Sequence, residues 1–168
     1  PITDLPASKP LSILANSPKT FKGRKLGLYI AEGADAGMVS ALMEAVKSEG
    51  GMVEVVAPHV TGAKLSDGKM QAADQKIDGA PSVLYDAVAA GKNYADDKPS
   101  IDFVNDAFAH AKFIGYAPGA MPLLKGAGVA GKMDQGFVEL ADANGAAAKF
   151  IDQCKQLRFW DRAAVKQD

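Results

Sequence analysis

With 168 residues, 48% of them apolar and 23% charged, the chain has the size and composition of one globular domain with a full core. Nineteen Lys and Arg against 20 Asp and Glu leave almost no net charge, which argues against nucleic acid or an anionic membrane as partner; no apolar run is long enough to span a bilayer. Cys154 is the only cysteine, so an internal disulfide and a multi-cysteine metal site are excluded, and a reducing, cytoplasmic setting is expected.

The chain opens at Pro1 rather than at methionine and is expected to be a piece of a longer polypeptide. Residues 1–24 hold Pro1, Pro6, Pro10 and Pro18 with no sustained helix or strand period, the pattern of an extended linker or arm. Leu5, Leu11, Ile13, Leu14 and Phe21 give it apolar handles for its own domain or a neighbour. Lys25–Ala31 reads as a short apolar strand, Glu32–Asp35 as a turn, and Asp35 as an N-cap. Met38, Leu42, Ala45 and Val46 then recur at helical spacing up to Glu49. Gly50-Gly51 ends that helix where glycine can take positive φ. Met52–Ala57 is a second strand, so strand, helix and strand form a βαβ unit and predict a parallel sheet.

Asp67-Gly68, within Leu65–Met70, is a hairpin turn signal. Pro81–Ala90 reads as a third core strand, and Ile101, Val104, Phe108 and Ala111 mark a second helix. Phe113–Tyr116 is a fourth strand that meets a turn at Ala117-Pro118-Gly119, and Ala120–Leu124 continues as a helix. Gly136–Leu140 is a later strand. Gly145–Leu157 is a final helix with Ala147, Phe150, Ile151 and Cys154 on one face. Arg158–Arg162 closes the domain over 25–162, and 163–168 is a tail. The alternation predicts a flavodoxin-like three-layer α/β/α sandwich with a mostly parallel sheet. A ligand would sit at the strand carboxyl ends: Ala31–Asp35, Ala57–Thr61, Ala89–Lys92 and Tyr116–Gly119.

The corner after the fourth strand is where many α/β enzymes hold a nucleophile on a strained elbow. Here it carries Ala117, whose methyl can neither attack nor carry a proton. Pro118 also lacks the N–H that would follow a nucleophile and help hold an oxyanion. What is left of the elbow is expected to be its geometry. Glu32 and Asp35 at the first strand end are explained by capping and solvation, and His59 by a loop surface. His110 sits late in a helix, where imidazole suits the C-terminus. Cys154 on an apolar stripe reads as a buried structural thiol. Gly126–Gly131 follows a helix instead of joining strand to helix, which is the wrong context for a phosphate loop. Phe159 and Trp160 are candidate interaction anchors, or the plug that seats the last helix, and Leu11, Ile13 and Phe21 are the arm's counterparts.

The segment IGYAPGAMPLL resembles the elbow of the class I glutamine amidotransferase-like superfamily, including PfpI-type peptidases. In active members cysteine stands where this chain has Ala117. Aligning Ala31–Asp35 with the family's first turn puts Met38 where a glutamate stands, and no histidine follows the elbow closely. A closer likeness is to the C-terminal domain of large-subunit haem catalases. It is carried by Asp4-Leu5-Pro6, Pro10-Leu11-Ser12 and Phe21-Lys22-Gly23-Arg24-Lys25 in the first part of the chain. Asp67-Gly68, Gly79-Ala80-Pro81-Ser82, Asp86-Ala87-Val88, Gly136-Phe137-Val138-Glu139 and Phe159-Trp160-Asp161-Arg162 carry it through the rest. The resemblance implies a domain that follows a haem β-barrel core in a homotetramer. It assigns hydrogen peroxide disproportionation and haem to the parent, and no cofactor to this piece, which has no Arg-x-x-x-Tyr for a proximal ligand. Between Val88 and Ile101 the family carries a longer loop. Here the loop is either short or interrupted, and a Cα–Cα gap well beyond about 3.8 Å near Ala89–Gly91 would mark an interruption.

Three readings follow: a non-catalytic accessory domain acting through packing and assembly, a chaperone-like module that holds unfolded clients on its arm and the Phe159-Trp160 region, and a residual peptidase or amidase.

Overall fold

The central strand, β1 (Lys25–Tyr29), shows in five residues how the sheet is built. In the computed structural model, which describes residues 6, 8–91, 97–141 and 143–162, Leu26 and Leu28 join one core cluster and Tyr29 joins the other. Apolar side chains on both faces are the signature of a strand covered on both sides by helices. Gly27 is obligatory for its space: a Cβ there would stand 2.4 Å from Cδ2 of Tyr85.

Before β1, the arm carries a 3-10 turn at Lys9–Leu11 and a single helical turn, α1 (Ile13–Asn16), so it is not wholly extended. Two polar side chains fold it: the Ser12 hydroxyl accepts from Ala15 N, and the Asn16 amide donates to the carbonyls of Lys9, Pro10 and Ser12. After β1 come α2 (Ala36–Ser48), β2 (Met52–Ala57), β3 (Ala63–Lys64), β4 (Met70–Gln71), β5 (Gln75–Lys76) and β6 (Ala87–Ala90). Then follow α3 (Lys98–Ala109), β7 (Ile114–Tyr116), α4 (Met121–Gly126), β8 (Phe137–Glu139) and α5 (Ala143–Cys154). Among the described residues the main sheet has six strands in the order β5-β2-β1-β6-β7-β8, every neighbouring pair parallel. Helices α2 and α5 pack together over the face that holds Leu26 and Leu28. Helices α3 and α4 cover the opposite face with Phe103, Val104, Leu123 and Leu124. The molecule is the flavodoxin-like three-layer α/β/α sandwich that the alternation predicts.

Two local expectations need correcting. Pro81–Ala90 is not one strand: Ser82–Leu84 is a 3-10 turn, and only Ala87–Ala90 pairs in the sheet. The run Val83-Leu84-Tyr85 does not alternate, and the buried amine of Lys112 gathers the carbonyls of Ser82 and Tyr85, which bends the chain there. The inner face of α3 is Ser100, Phe103, Val104 and Ala107, shifted from the predicted stripe, and Ala111 lies beyond the helix with φ +53. The hairpin at Asp67-Gly68 does form, between β3 and β4, with Gly68 at φ +84. Strand β6 runs unbroken into Gly91, whose N–H donates to Tyr29 O at 2.8 Å; the rest of the suspected interruption, residues 92–96, lies outside the described residues, as do the tail 163–168 and Asp4-Leu5 of the arm.

Candidate functional site

In this sheet order the chain reverses direction between β1 and β6: β2 lies on one side of β1 and β6 on the other. Crossovers α2 and α3 lie on opposite faces of the sheet, so a crevice for a ligand would open between the ends of β1 and β6. Here that space is filled with apolar side chains. Ile30 and Ala34 are wholly buried, and Ala31 and Met38 are 1% and 2% exposed. Met38 reaches from the first turn of α2 toward the end of β6, where a Cβ on Gly91 would stand 3.2 Å from its Cε.

The β3–β4 hairpin fastens the same end of the sheet. Gly33 N donates to Lys64 O, Lys64 N donates to the Glu32 carboxylate, Ser66 N donates to Ala34 O, and Ala36 N donates to the Ser66 hydroxyl, all within 2.7–3.0 Å. Asp35 caps α2 by accepting from Met38 N at 2.7 Å. Both acids at the first strand end are thus engaged with backbone N–H groups.

The corner after β7 is quieter than an elbow. Ala117 is 7% exposed and lies at φ −74, ψ 152, an ordinary extended conformation. Proline pushes the residue before it toward extended backbone, so Pro118 favours the unstrained conformation of Ala117 as well as removing the N–H. The turn from strand to helix survives, through a 3-10 turn at Pro118–Ala120 leading into α4. What is gone is the strain that marks an active elbow. Pro118 and Gly119 are exposed.

The other candidates are scattered. His59 is exposed, and its carbonyl accepts from Gly62 N. His110 caps the end of α3, with Nδ1 2.7 Å from Asp106 O. Burial pushes the Cys154 thiol well above its ordinary range. The glycine-rich stretch 126–131 closes α4, with Gly128 at φ +67. Among the described residues, no group of three or more His, Cys, Asp or Glu side chains is placed to hold a metal ion.

The densest polar chemistry lies at the opposite, amino-terminal edge of the sheet. Lys112, one residue before Phe113 and 1% exposed, donates its amine to Ser82 O and Tyr85 O. Burial, and secondarily the Arg158 cation, push its pKa down to about 8. Arg158 donates to Asp86 O at 3.2 Å, while Asp86 accepts from Lys25 N at 2.9 Å. Arg24 donates to Cys154 O and Lys155 O at the end of α5. Arg162 forks onto Asp134, donates to Lys112 O at 2.7 Å, and stands over the rings of Phe108, Phe137 and Phe159. These cations bind backbone carbonyls and rings of their own fold. They form a clamp that ties the segment after α5 to the starts of β1, β6, β7 and β8.

The candidate interaction residues divide accordingly. Phe21 is 1% exposed and belongs to the core, so this part of the arm packs on its own domain. Phe159 packs edge-on against Phe113, with ring centroids 6.1 Å apart, and Trp160 is half-buried. Leu11 and Ile13 face solvent at 86% and 52% exposure. They line a groove of about 560 Å³ with Pro18, Lys22, Arg24 and Leu157. Sequence reasoning passed over Lys112, Asp134, Arg158 and Arg162 as sites in their own right. The available signal was a pair of arginines bracketing Phe159-Trp160, and a lysine directly before an apolar strand.

A family model described as the C-terminal domain found in long catalases matches residues 22–164. The chain is 48% identical over 165 residues to Catalase C of Rhizobium meliloti (strain 1021), covering 95% of this chain and 23% of that protein. It is 28% identical to Catalase HPII of Pseudomonas putida, covering 88% of this chain and 21% of that one. The chain therefore spans less than a quarter of the length of these relatives. Among solved structures, Drosophila melanogaster DJ-1beta superposes with a TM-score of 0.62 at 14% identity, covering 83% of this chain and 93% of that one, a likeness of fold. The match to the family model spans the whole of the sandwich and the clamp, and the chain belongs to the family of C-terminal domains found in long catalases.

Proposed function

We propose that the chain is a non-catalytic accessory domain of a large-subunit haem catalase, and that it contributes stability and assembly. In this reading the parent polypeptide disproportionates hydrogen peroxide as a cytoplasmic homotetramer, and residues 25–162 form the domain between a linking arm, 1–24, and a tail, 163–168. The observation that carries it is the filled crevice: Ala117 and Met38 bury apolar surface where a nucleophile and an acid would be needed, and Pro118 has no N–H to serve as an oxyanion donor. Among the described residues, no tyrosine fits an axial haem ligand. An axial tyrosine must offer a free phenolate, whereas the hydroxyls of Tyr29, Tyr85 and Tyr116 are occupied by Ser100, Glu54 and Glu139. All three rings are at most 9% exposed. The haem and its chemistry are assigned to the parent's remaining polypeptide.

A chaperone-like reading has less behind it, because Phe21 is in the core and Phe159 is packed on Phe113. A residual hydrolase lacks a nucleophile at the corner.

The test compares the parent polypeptide with a version that ends before this domain. Truncation is expected to lower the temperature of irreversible inactivation and the tetramer fraction, while turnover per haem stays the same. Peptidase, amidase or deglycase turnover by the isolated chain, abolished by changing Glu32 or His59, would overturn the reading. So would a truncated parent as stable and tetrameric as the whole.

A further inference from the structure

The arm and the far face of the domain are complementary. Within residues 8–20 the charged side chains are Lys9 and Lys19 alone, both exposed, and between them Leu11 and Ile13 project into solvent. This is a short basic and apolar strip, held in shape by the Asn16 amide and the Ser12 cap.

On the opposite face of the sheet, a groove of about 340 Å³ runs between α3 and the segment that leads to β6. Its floor is Ile77, Ala80, Pro81 and Phe103, and among the described residues its charged lining is Asp78, Asp102 and Asp106. The 3-10 turn that continues from Pro81 packs against α3 and leaves Val83 and Leu84 61% and 53% exposed. Asp78 and Asp102 hold Lys76 and Lys98 in exposed pairs, contacts that exchange readily for better partners. An apolar strip with an acidic wall matches an apolar strip with flanking lysines in both sign and character.

The arm lines its own groove with Arg24 and Leu157, next to the end of α5, and α5 and α3 cover opposite faces of the sheet. The arm of one copy therefore stands on the side away from its own acidic groove. We propose that the arm of one copy docks into the groove of a second copy, Leu11 and Ile13 on Pro81, Val83 and Leu84, and Lys9 and Lys19 toward Asp102 and Asp106. Two such contacts made reciprocally close a dimer, and contacts made one way build an open chain. This pairing is a property of the surface and does not depend on the parent's activity.

Sedimentation velocity of the full chain over a range of concentrations and salt tests it. The expected result is self-association that rises with concentration and weakens with added salt. L11D, the pair K9D/K19D and the pair D102K/D106K should each raise the dissociation constant about tenfold or more. Combining K9D/K19D with D102K/D106K in one chain should restore it. All these positions are exposed or half-exposed, and unchanged circular dichroism shows that each variant folds. A monomer at every concentration overturns the proposal, as does association that ignores the groove substitutions. Suppression of client aggregation by a monomeric chain through Leu11 and Ile13 would overturn it too, and would give the arm to unfolded clients.

Discussion

Arg162 and Asp134 meet as a two-pronged pair, Nε to Oδ2 at 2.8 Å and Nη2 to Oδ1 at 2.7 Å, with the arginine side chain 7% exposed. Burial works against the Asp134 charge, but the guanidinium fork and the N–H of Gly136 hold its carboxyl below the usual range. Removing one partner leaves the other charge without its mate. R162A and D134A are each expected to destabilise by about 3 kcal/mol or more. R162K should recover only part of this, because an ammonium cannot fork or stack on three rings. Urea denaturation checks the order. Since the folded carboxyl titrates below the unfolded one, its contribution is complete above the unfolded value near pH 4 and fades as pH falls through the folded one. D134A should therefore flatten part of the acid limb.

On the alkaline side two buried groups oppose each other. Lys112 folds with a pKa of about 8 against 10.5 in its ordinary state, so above pH 8 the unfolded chain binds the extra proton and stability rises with pH. The Cys154 thiol is pushed the other way by burial; above its ordinary range of about 8.5–9 only the unfolded chain loses that proton, and stability falls. In the wild type the two trends oppose each other above about pH 8.5, until near pH 10 the unfolded tyrosines ionise while burial keeps Tyr85 and Tyr116 protonated, and stability falls. K112M should lose stability with rising pH above about pH 8.5, and C154A should gain it up to the tyrosine range, each with a slope of at most about 1.4 kcal/mol per pH unit. Thermal melts at several pH values read the slopes directly. Parallel pH profiles for the three proteins would rule this balance out.

The layers, the helix caps and the hairpin were legible because each rests on local rules: the apolar run of β1, the Asp35 cap, and positive φ at Gly50 and Gly68. The emptiness of the corner was legible in Ala117 and Pro118, since a missing group needs no partner to be read. The loss of strain at Ala117 also follows from Pro118, yet it needed the observed ψ of 152 to become plain. The clamp was hidden for a different reason. Arg162 meets Asp134 across 28 residues and Lys112 O across 50, and Arg24 meets Cys154 O across 130. No periodicity encodes such pairings, and a charged side chain reads as solvated until its carbonyl partners are located. The same separation explains Pro81–Ala90, whose bend is held by Lys112 from the distant segment that leads into β7.

Gly62 tests how firmly the hairpin closes the crevice. It has φ +91, and a Cβ there would stand 1.8 Å from Gln71 O, a backbone atom that cannot swing away. G62A should force the hairpin off the end of β1, at a loss of about 2 kcal/mol or more from strain and the released contacts. The amides of Gly33, Lys64 and Ser66 should then exchange with solvent much faster, while those of β6 and β7 stay protected. Uniform loss of protection across the sheet would show that the hairpin does not open as a separate unit.

Restoring the missing atoms at the corner should not restore chemistry. A117C replaces a methyl that is 7% exposed with a thiol on an unstrained, extended residue. Two things lower a thiol's pKa at such a corner, backbone N–H groups aimed at the sulfur and a nearby cation. Pro118 removes the first N–H, and the buried cations Lys112, Arg158 and Arg162 are committed at the other edge of the sheet. The thiol is expected to alkylate no faster than a free cysteine at pH 7, with rates that climb through pH 8.5 and beyond. M38E, alone or added to A117C, places a carboxylate where the side chain is 2% exposed. It should cost several kcal/mol without raising the alkylation rate or giving hydrolase turnover. Iodoacetamide kinetics against pH, with the C154A background removing the native thiol, make the measurement. A rate plateau below pH 7 would mean that the corner still activates a sulfur, and the accessory-domain reading would then lose its main support.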